Sequence, residues 1–328
     1  MLGPCHQPQG SAMTAVSQTP RTRTASLEVV PLRKTGRYIG AAVVAVLAIL
    51  LAQTLVTNER FRWDEVGHYL FASRILEGLG RTLLLTFGAM SIAVLLGTLI
   101  AVMRLTRNPL LTGAAWSYVW LFRGTPVLVQ LIFWYNLSAL FPSIDIGIPF
   151  FGPTFFSFSA NEVISVYVAA LLGLGLCEAA YMSEIVRAGI SSIDRGQTDA
   201  AQALGMTSLM TFRKVVMPQA MRVIVPPTAN EVIGMLKTTA LVSVIALPDL
   251  LYSAQLIYNR EFNTIPLLIV ACFWYLVLAS ILSFFQSILE RRFGRGHTAR
   301  NTREPIFGFL RRSGRPSPGA VKAGGASK

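Results

Sequence analysis

Six apolar stretches, each long enough to cross a bilayer as a helix, constrain this chain more than any other feature of its sequence. They cover residues 38–56, 83–103, 122–141, 163–182, 224–247 and 265–289. A spanning helix needs about 20 mostly apolar residues. Of the 328 residues, 53% are apolar and 14% are charged, whereas soluble domains carry about 25% charged residues. The sequence therefore predicts an all-α polytopic membrane protein.

The segments outside these stretches are basic. A leader of 37 residues precedes the first stretch, and no small-x-small cleavage site follows it, so we expect 38–56 to be a retained, extra N-terminal transmembrane helix. Residues 1–37 and 290–328 are rich in Gly, Pro, Ser and Thr as well as Arg, a composition typical of disordered tails. We expect them to be solvated or to rest on anionic membrane lipid. No folded basic face with interleaved aromatic residues indicates nucleic-acid binding.

The net charge of +13 is distributed unevenly between alternate connections. Of the 29 Lys and Arg, 23 lie in the two tails and the connections on their side, five lie on the other side, and Lys237 lies within a span. Basic residues are retained in the cytoplasm during insertion. We therefore predict a multi-pass protein of the plasma membrane with both termini and the 187–222 loop in the cytoplasm. Connections 57–80, 142–162 and 248–264 then face outward.

The 187–222 loop between the fourth and fifth spans has about 35 residues, and its sequence is patterned. Residues 197–204 favour a short helix with Thr198 as a possible N-cap, and Gly205 suits the positive φ that ends a helix. Ser208 can cap a second helix that ends near Pro218. Such short helices need a docking partner to be stable. The pattern also fits an amphipathic helix lying on the membrane.

Four ionisable residues, Arg123, Glu178, Glu231 and Lys237, fall within or at the edge of spans. A charge at the bilayer centre costs about 2.5–3.5 kcal/mol on insertion scales, so these residues are candidates for a translocation pathway. Glu178 is expected either to pair with one of the two cations or to face a cavity. Lys237, near the middle of its span, is the best candidate for a gate, with a structural role bonded to carbonyls as the alternative. Arg123 precedes the helix-breaking Gly-Thr-Pro at 124–126 and lines the pathway or anchors the helix end.

The loop carries a family resemblance. Asp199-Ala200-Ala201, three residues, Gly205, nine residues, Val215, one residue and Met217-Pro218 resemble the EAA loop, E-A-A-x3-G-x9-I-x-L-P, of membrane subunits of ABC importers. Residues 122–131, 180–190, 196–197 and 236–241 are similar to motifs of the polar amino-acid permease branch, the histidine/glutamine/arginine type. Thr238 and Ala240 depart from that branch. The resemblance covers residues 78–289.

The resemblance implies a type I ABC importer transmembrane fold with five core helices at 78–289, to which 38–56 is an extra helix. The loop at 190–220 would be the coupling helix that fits a cleft of a cytoplasmic ABC ATPase dimer, through Asp199, Ala200, Ala201, Gly205 and Pro218. A second permease, identical or homologous, and an extracytoplasmic amino-acid-binding protein are the other implied partners. ATP and Mg²⁺ would bind in the ATPase. The implied function is ATP-driven import of a polar or charged amino acid.

Motifs for other chemistry are missing from the sequence. No P-loop pattern occurs, so the chain is not expected to bind ATP, and the scattered Cys and His residues indicate neither a metal site nor a catalytic group. We therefore expect a transport subunit without enzymatic activity or a cofactor of its own. The alternatives are an ABC permease for another small solute and an ion-coupled secondary carrier, although no inverted repeat is evident.

Overall fold

The computed structural model describes residues 35–147, 154–159 and 163–293. In chain order the helices are α1 (Thr35–Thr57), α2 (Trp63–Tyr69), α3 (Ser73–Leu105), α4 (Pro109–Gly124), α5 (Val127–Tyr135), α6 (Val166–Ser191), α7 (Arg195–Ala203), α8 (Ser208–Thr211), α9 (Met217–Thr238), α10 (Leu250–Glu261) and α11 (Thr264–Phe293). Strands β1 (Ser143–Gly147) and β2 (Thr154–Ser159) form an antiparallel hairpin between α5 and α6. The predicted tails 1–37 and 290–328 lie almost entirely outside the described residues.

Helix α1 belongs to a first compact unit that ends at Asn58. It is apolar on every face, and the side chains described along it are exposed. A helix that is hydrophobic all round is suited to a bilayer rather than to water. Residues 38–57 are long and apolar enough to span one, as the sequence predicts.

The second unit, from Glu59 onward, is organised around the contact between α3 and α6. Small residues allow these helices to approach closely. A Cβ added to Gly97 would lie 2.7 Å from the Cβ of Met182 and 2.8 Å from the carbonyl oxygen of Ala179. Small residues at such crossings are typical of membrane helices, whose association depends on close packing. Side chains of α5 and α9 complete the buried core, with Leu131 and Ala220 among them.

The predicted third span is wrong in its bounds. Residues 122–141 do not form one helix, because α4 ends at Gly124, Thr125 and Pro126 are extended, and α5 begins at Val127. Proline restricts the residue before it to extended backbone, so the chain breaks here. Within the described residues, four helices are long and apolar enough to span a membrane, and a fifth span results if a bent helix pair is counted as one.

That bent pair runs from Ser208 to Glu261 and turns by 45° at its break. A 3₁₀ segment, Thr239–Ile245, follows α9, and Ala246 then adopts a left-handed conformation with φ of 56°. The buried carboxylate of Asp249 accepts a hydrogen bond of 2.8 Å from the backbone N–H of Tyr252 and one of 3.2 Å from the hydroxyl of Tyr275. These bonds satisfy the carboxylate of Asp249, which is buried within the protein.

Polar contacts also join α2 to the region around the start of α11. Arg62 donates to the side-chain amide oxygen of Asn263, and the hydroxyl of Tyr69 donates to Glu261. The hydrogen bond to Glu261 raises the pKa of Tyr69 to about 12, because the carboxylate favours the neutral phenol that donates to it. The short helix α2 is thereby held against the longer helices.

Candidate translocation cavity and coupling loop

A polar cavity of about 510 Å³ lies between the α4–α5 break, α6 and α9. Three of the four predicted pathway residues, Arg123, Glu178 and Glu231, line it together with Tyr181 and Thr238. The first comes from the last turn of α4, the second from α6 and the third from α9. The fold therefore collects in one place charges that are up to 108 positions apart in the chain.

The break between α4 and α5 shapes one wall of this cavity, and a buried glutamine stabilises it. The side-chain amide of Gln130 donates to the carbonyl oxygens of Phe122 and Thr125, at 3.1 and 3.2 Å, and to the Thr125 hydroxyl at 2.8 Å. Carbonyls freed at a break within a membrane need such partners. This role of Gln130 was not predicted, although a lone amide in the apolar run just after Pro126 is a signal that could have indicated it.

Glu178 and Glu231 are neighbours across the cavity. The carboxyl group of Glu178 interacts with that of Glu231, and its Oε1 atom is buried without a hydrogen-bond partner in the described structure. The alternative in which Glu178 pairs with Arg123 or Lys237 is not what the structure has, since neither pair occurs among the described ion pairs. Of the two expected arrangements, Glu178 adopts the one that faces the cavity.

Next to the cavity, the carboxylate of Glu184 forms ion pairs with three arginines. Glu184 on α6 contacts Arg104 from the end of α3, lies 2.8 Å from Arg187 one turn further along α6, and lies 3.6 Å from Arg123. The guanidinium group of Arg123 also lies over the ring of Tyr181, 5.1 Å from its centroid, a cation–π geometry. Arg123 thus has both predicted features, since it lines the cavity and ties the end of its helix to a neighbour.

Lys237 does not line this cavity. It lies in the last turn of α9, on an exposed face that it shares with Asn230 and Gly234. The two charges are separated by the rotation of about 120° that six helical residues produce between Glu231 and Lys237.

The loop between α6 and α9 begins with the predicted short helix. Helix α7 is capped by Asp194, whose carboxylate accepts a 2.9 Å hydrogen bond from the N–H of Gly196, so the predicted N-cap at Thr198 is wrong. Gly205 has φ of 81°, as predicted. Ala201 faces inward, whereas Asp199 and Ala200 are exposed.

The second half of the loop differs from the prediction. Thr207, not Ser208, caps α8, and a π turn over Phe212–Val216 connects α8 directly to α9. Pro218 lies in the first turn of α9 and does not stop a helix. Proline is tolerated there because its missing N–H is not needed in a first turn. The loop therefore has one free-standing short helix and a second that is continuous with a long one.

Residues 93–295 match the family described as "Binding-protein-dependent transport system inner membrane component". The chain belongs to this family. Its members are transport subunits whose ATPase is a separate partner, and the chain is accordingly a multi-pass protein of the inner membrane. The resemblance read from the EAA loop is thus confirmed.

Two curated relatives and one solved structure specify the branch. The chain is 43% identical over 297 residues, 87% of this chain and 90% of the relative, to "Arginine transport system permease protein ArgU" of Corynebacterium glutamicum. It is 35% identical, over 71% of this chain and 98% of the relative, to "Glutamate/aspartate import permease protein GltK" of Escherichia coli O157:H7. A solved "amino acid ABC transporter with histidines" is 37% identical, with a TM-score of 0.57 over 68% of this chain and 95% of that one. The type I importer fold and the amino-acid branch are confirmed.

Proposed function

We propose that this permease carries a cationic amino acid through the cavity between the α4–α5 break, α6 and α9. The observation that supports the proposal most directly is the pair of carboxylates, Glu178 and Glu231, in a cavity whose described lining includes one basic side chain, Arg123. Two neighbouring ionised carboxylates repel each other, and a cation between them relieves that repulsion. An amino acid with a cationic side chain would supply that charge, and the relative that is 43% identical is named for arginine.

The proposed power source is a dimer of cytoplasmic ABC ATPases that binds the loop at 190–220 and holds ATP and Mg²⁺. In the loop, Asp199, Ala200 and Leu204 are exposed, and Leu204 is 84% exposed. Leu209 and Met210 of the same loop are exposed as well, and several large apolar side chains exposed in one loop favour a protein partner. Gly205 and Pro218 contribute through the backbone, by making the turn and by starting α9, while Ala201 packs inward.

A second permease, identical or homologous, completes the proposed pathway. Lys237 lies on an exposed face of α9 together with Gly234 and a second polar residue, Asn230. A lysine facing hydrocarbon costs about 2.5–3.5 kcal/mol on insertion scales, so this face is better suited to water or a partner helix than to lipid. In this arrangement an extracytoplasmic binding protein delivers the amino acid, and both chain termini are cytoplasmic.

The test is ATP-dependent uptake by proteoliposomes that contain this chain, its ATPase and its binding protein. Labelled arginine, lysine, glutamine and glutamate are compared for the wild type and the Glu178→Gln variant. We expect uptake of arginine or lysine, reduced ~10–100-fold in the variant, because an ionic hydrogen bond contributes about 1.5–3 kcal/mol. Glu290→Gln, which removes an exposed carboxylate of α11, is the matched control and should transport normally.

Other outcomes separate the alternatives. Uptake of glutamine or glutamate in preference to the cations would contradict the proposed cargo while retaining the importer. Uptake that ignores ATP and follows an ion gradient would contradict the importer assignment itself.

A further inference from the structure

Arg123 is positioned to contact two different anions. Its guanidinium group lies 3.6 Å from the carboxylate of Glu184, and the same residue lines the polar cavity. Its side chain is 43% exposed, so one part of the guanidinium group is open to a ligand. Arginine presents five N–H donors in a planar fork, and the 3.6 Å contact with Glu184 is longer than a hydrogen bond, so these donors stay available to a ligand.

Glu184 does not depend on Arg123 for neutralisation. It contacts Arg104 and accepts two hydrogen bonds from Arg187, at 3.0 and 2.8 Å. Of the three arginines around this carboxylate, Arg123 is the most distant. If Arg123 turned away, Glu184 would keep two cationic partners, so the movement would not leave a buried charge unpaired.

The ring of Tyr181 supports the guanidinium group from one side. Arg123 lies over this ring, and Tyr181 itself lines the cavity. A stacked arginine keeps its edge, which carries the N–H donors, available for a planar anion such as a carboxylate. The cavity therefore contains a supported carboxylate-binding group as well as the two carboxylates of Glu178 and Glu231.

We propose that Arg123 is the residue that binds the α-carboxylate of the transported amino acid, through donors that it exchanges between Glu184 and the cargo. Arg104 and Arg187 hold Glu184 while the exchange takes place. This inference rests on the proposed function only in that the cargo is an amino acid. It does not depend on a cationic side chain, because every amino acid has the α-carboxylate.

The experiment measures ligand binding to the purified permease–ATPase complex in nanodiscs, without the binding protein, by isothermal titration calorimetry. The probes are arginine, glutamine and the methyl ester of each, which keeps the side chain and removes the negative charge. The wild type should bind an acid ~10–100-fold more tightly than its ester, as expected for a charged hydrogen bond. In Arg123→Gln this preference should fall to about one, while the affinity for the ester changes little.

Two further variants keep the test decisive. Arg107→Gln removes an exposed arginine between α3 and α4 that neither lines the cavity nor forms one of the described ion pairs with Glu184, and should retain the preference for the acid. If Arg123→Gln proves unstable, Arg123→Lys replaces it. This variant keeps the charge without the planar fork, and should retain part of the preference.

Persistence of the preference in Arg123→Gln, or an equal loss in Arg107→Gln, would overturn the inference. Binding of glutamine instead of arginine, with the same dependence on Arg123, would contradict the proposed cation selectivity and support the role of Arg123. Failure of the wild type to bind any probe would contradict both.

Discussion

Substitutions at Gly205 can test the role of the loop in coupling to the ATPase without disturbing the fold of the rest of the protein. Its φ of 81° lies in the left-handed region, and a Cβ added there would meet no neighbouring heavy atom within 4 Å. A side chain at this position therefore costs backbone strain alone, about 1–2 kcal/mol. That cost reduces the population of the native turn roughly 5–30-fold relative to its alternatives, while the helices around the cavity stay folded.

Three variants separate strain from docking. Asparagine adopts the left-handed conformation more readily than other non-glycine residues, so Gly205→Asn should be the mildest. Gly205→Ala adds the full strain with the smallest side chain, and Gly205→Arg adds the same strain and a long charged group beside the exposed Leu204. We expect coupled transport to decrease in the order Asn, Ala, Arg.

The assay combines uptake with ATP hydrolysis in the same proteoliposomes. In Gly205→Arg, ATP hydrolysis should no longer respond to the loaded binding protein, uptake should be lost, and amino-acid binding to the permease should be unchanged. Normal coupled uptake in this variant would refute the assignment of the loop to the ATPase. An asparagine variant that is worse than the alanine variant would refute the argument from backbone strain.

Three other substitutions or deletions test the fold. A Cβ on Gly189 would overlap the side chain of Ile224, so Gly189→Ala should destabilise the protein by about 1–3 kcal/mol, seen as a lower thermal midpoint in detergent, and Ile224→Ala should partly restore it. Gln130→Leu should cost about 1–3 kcal/mol by the same measurement because it leaves carbonyls at the helix break unpaired; an unchanged midpoint would contradict that role. Removal of residues 296–328 should leave uptake intact, since the family match ends at residue 295, and a correctly inserted but inactive truncation would reveal a function in the tail.

Features that depend on local backbone chemistry could be predicted from the sequence. The positive φ of Gly205 and the break at 124–126 follow from the conformational freedom of glycine and the restriction that proline imposes. The third span was misplaced because an average of hydropathy over 20 residues does not register a break at Pro126. Pro218 was misread for a related reason, since a proline that starts a helix and one that follows its end look the same locally.

Features that depend on tertiary contacts could not be predicted from the sequence. Glu178 and Glu231 lie 53 positions apart, and only the packing of α6 against α9 makes their carboxyl groups neighbours. The cluster of Arg104 with Glu184 likewise requires the ends of α3 and α6 to meet. The position of Glu178 and Glu231 within apolar spans marked them as costly to insert into a membrane, but it contained no information on their partners.

The π turn at Phe212–Val216 makes the path from Ser208 to Glu231 one continuous helical element, roughly 35 Å long at 1.5 Å per residue. In an element of this kind, binding at either end affects binding at the other end. If nucleotide binding at one end alters the affinity of the cavity for its amino acid by some factor, an amino acid in the cavity must alter the affinity for nucleotide by the same factor. Cargo occupancy is then measurable from the distant end, as a shift in the dissociation constant of a non-hydrolysable nucleotide.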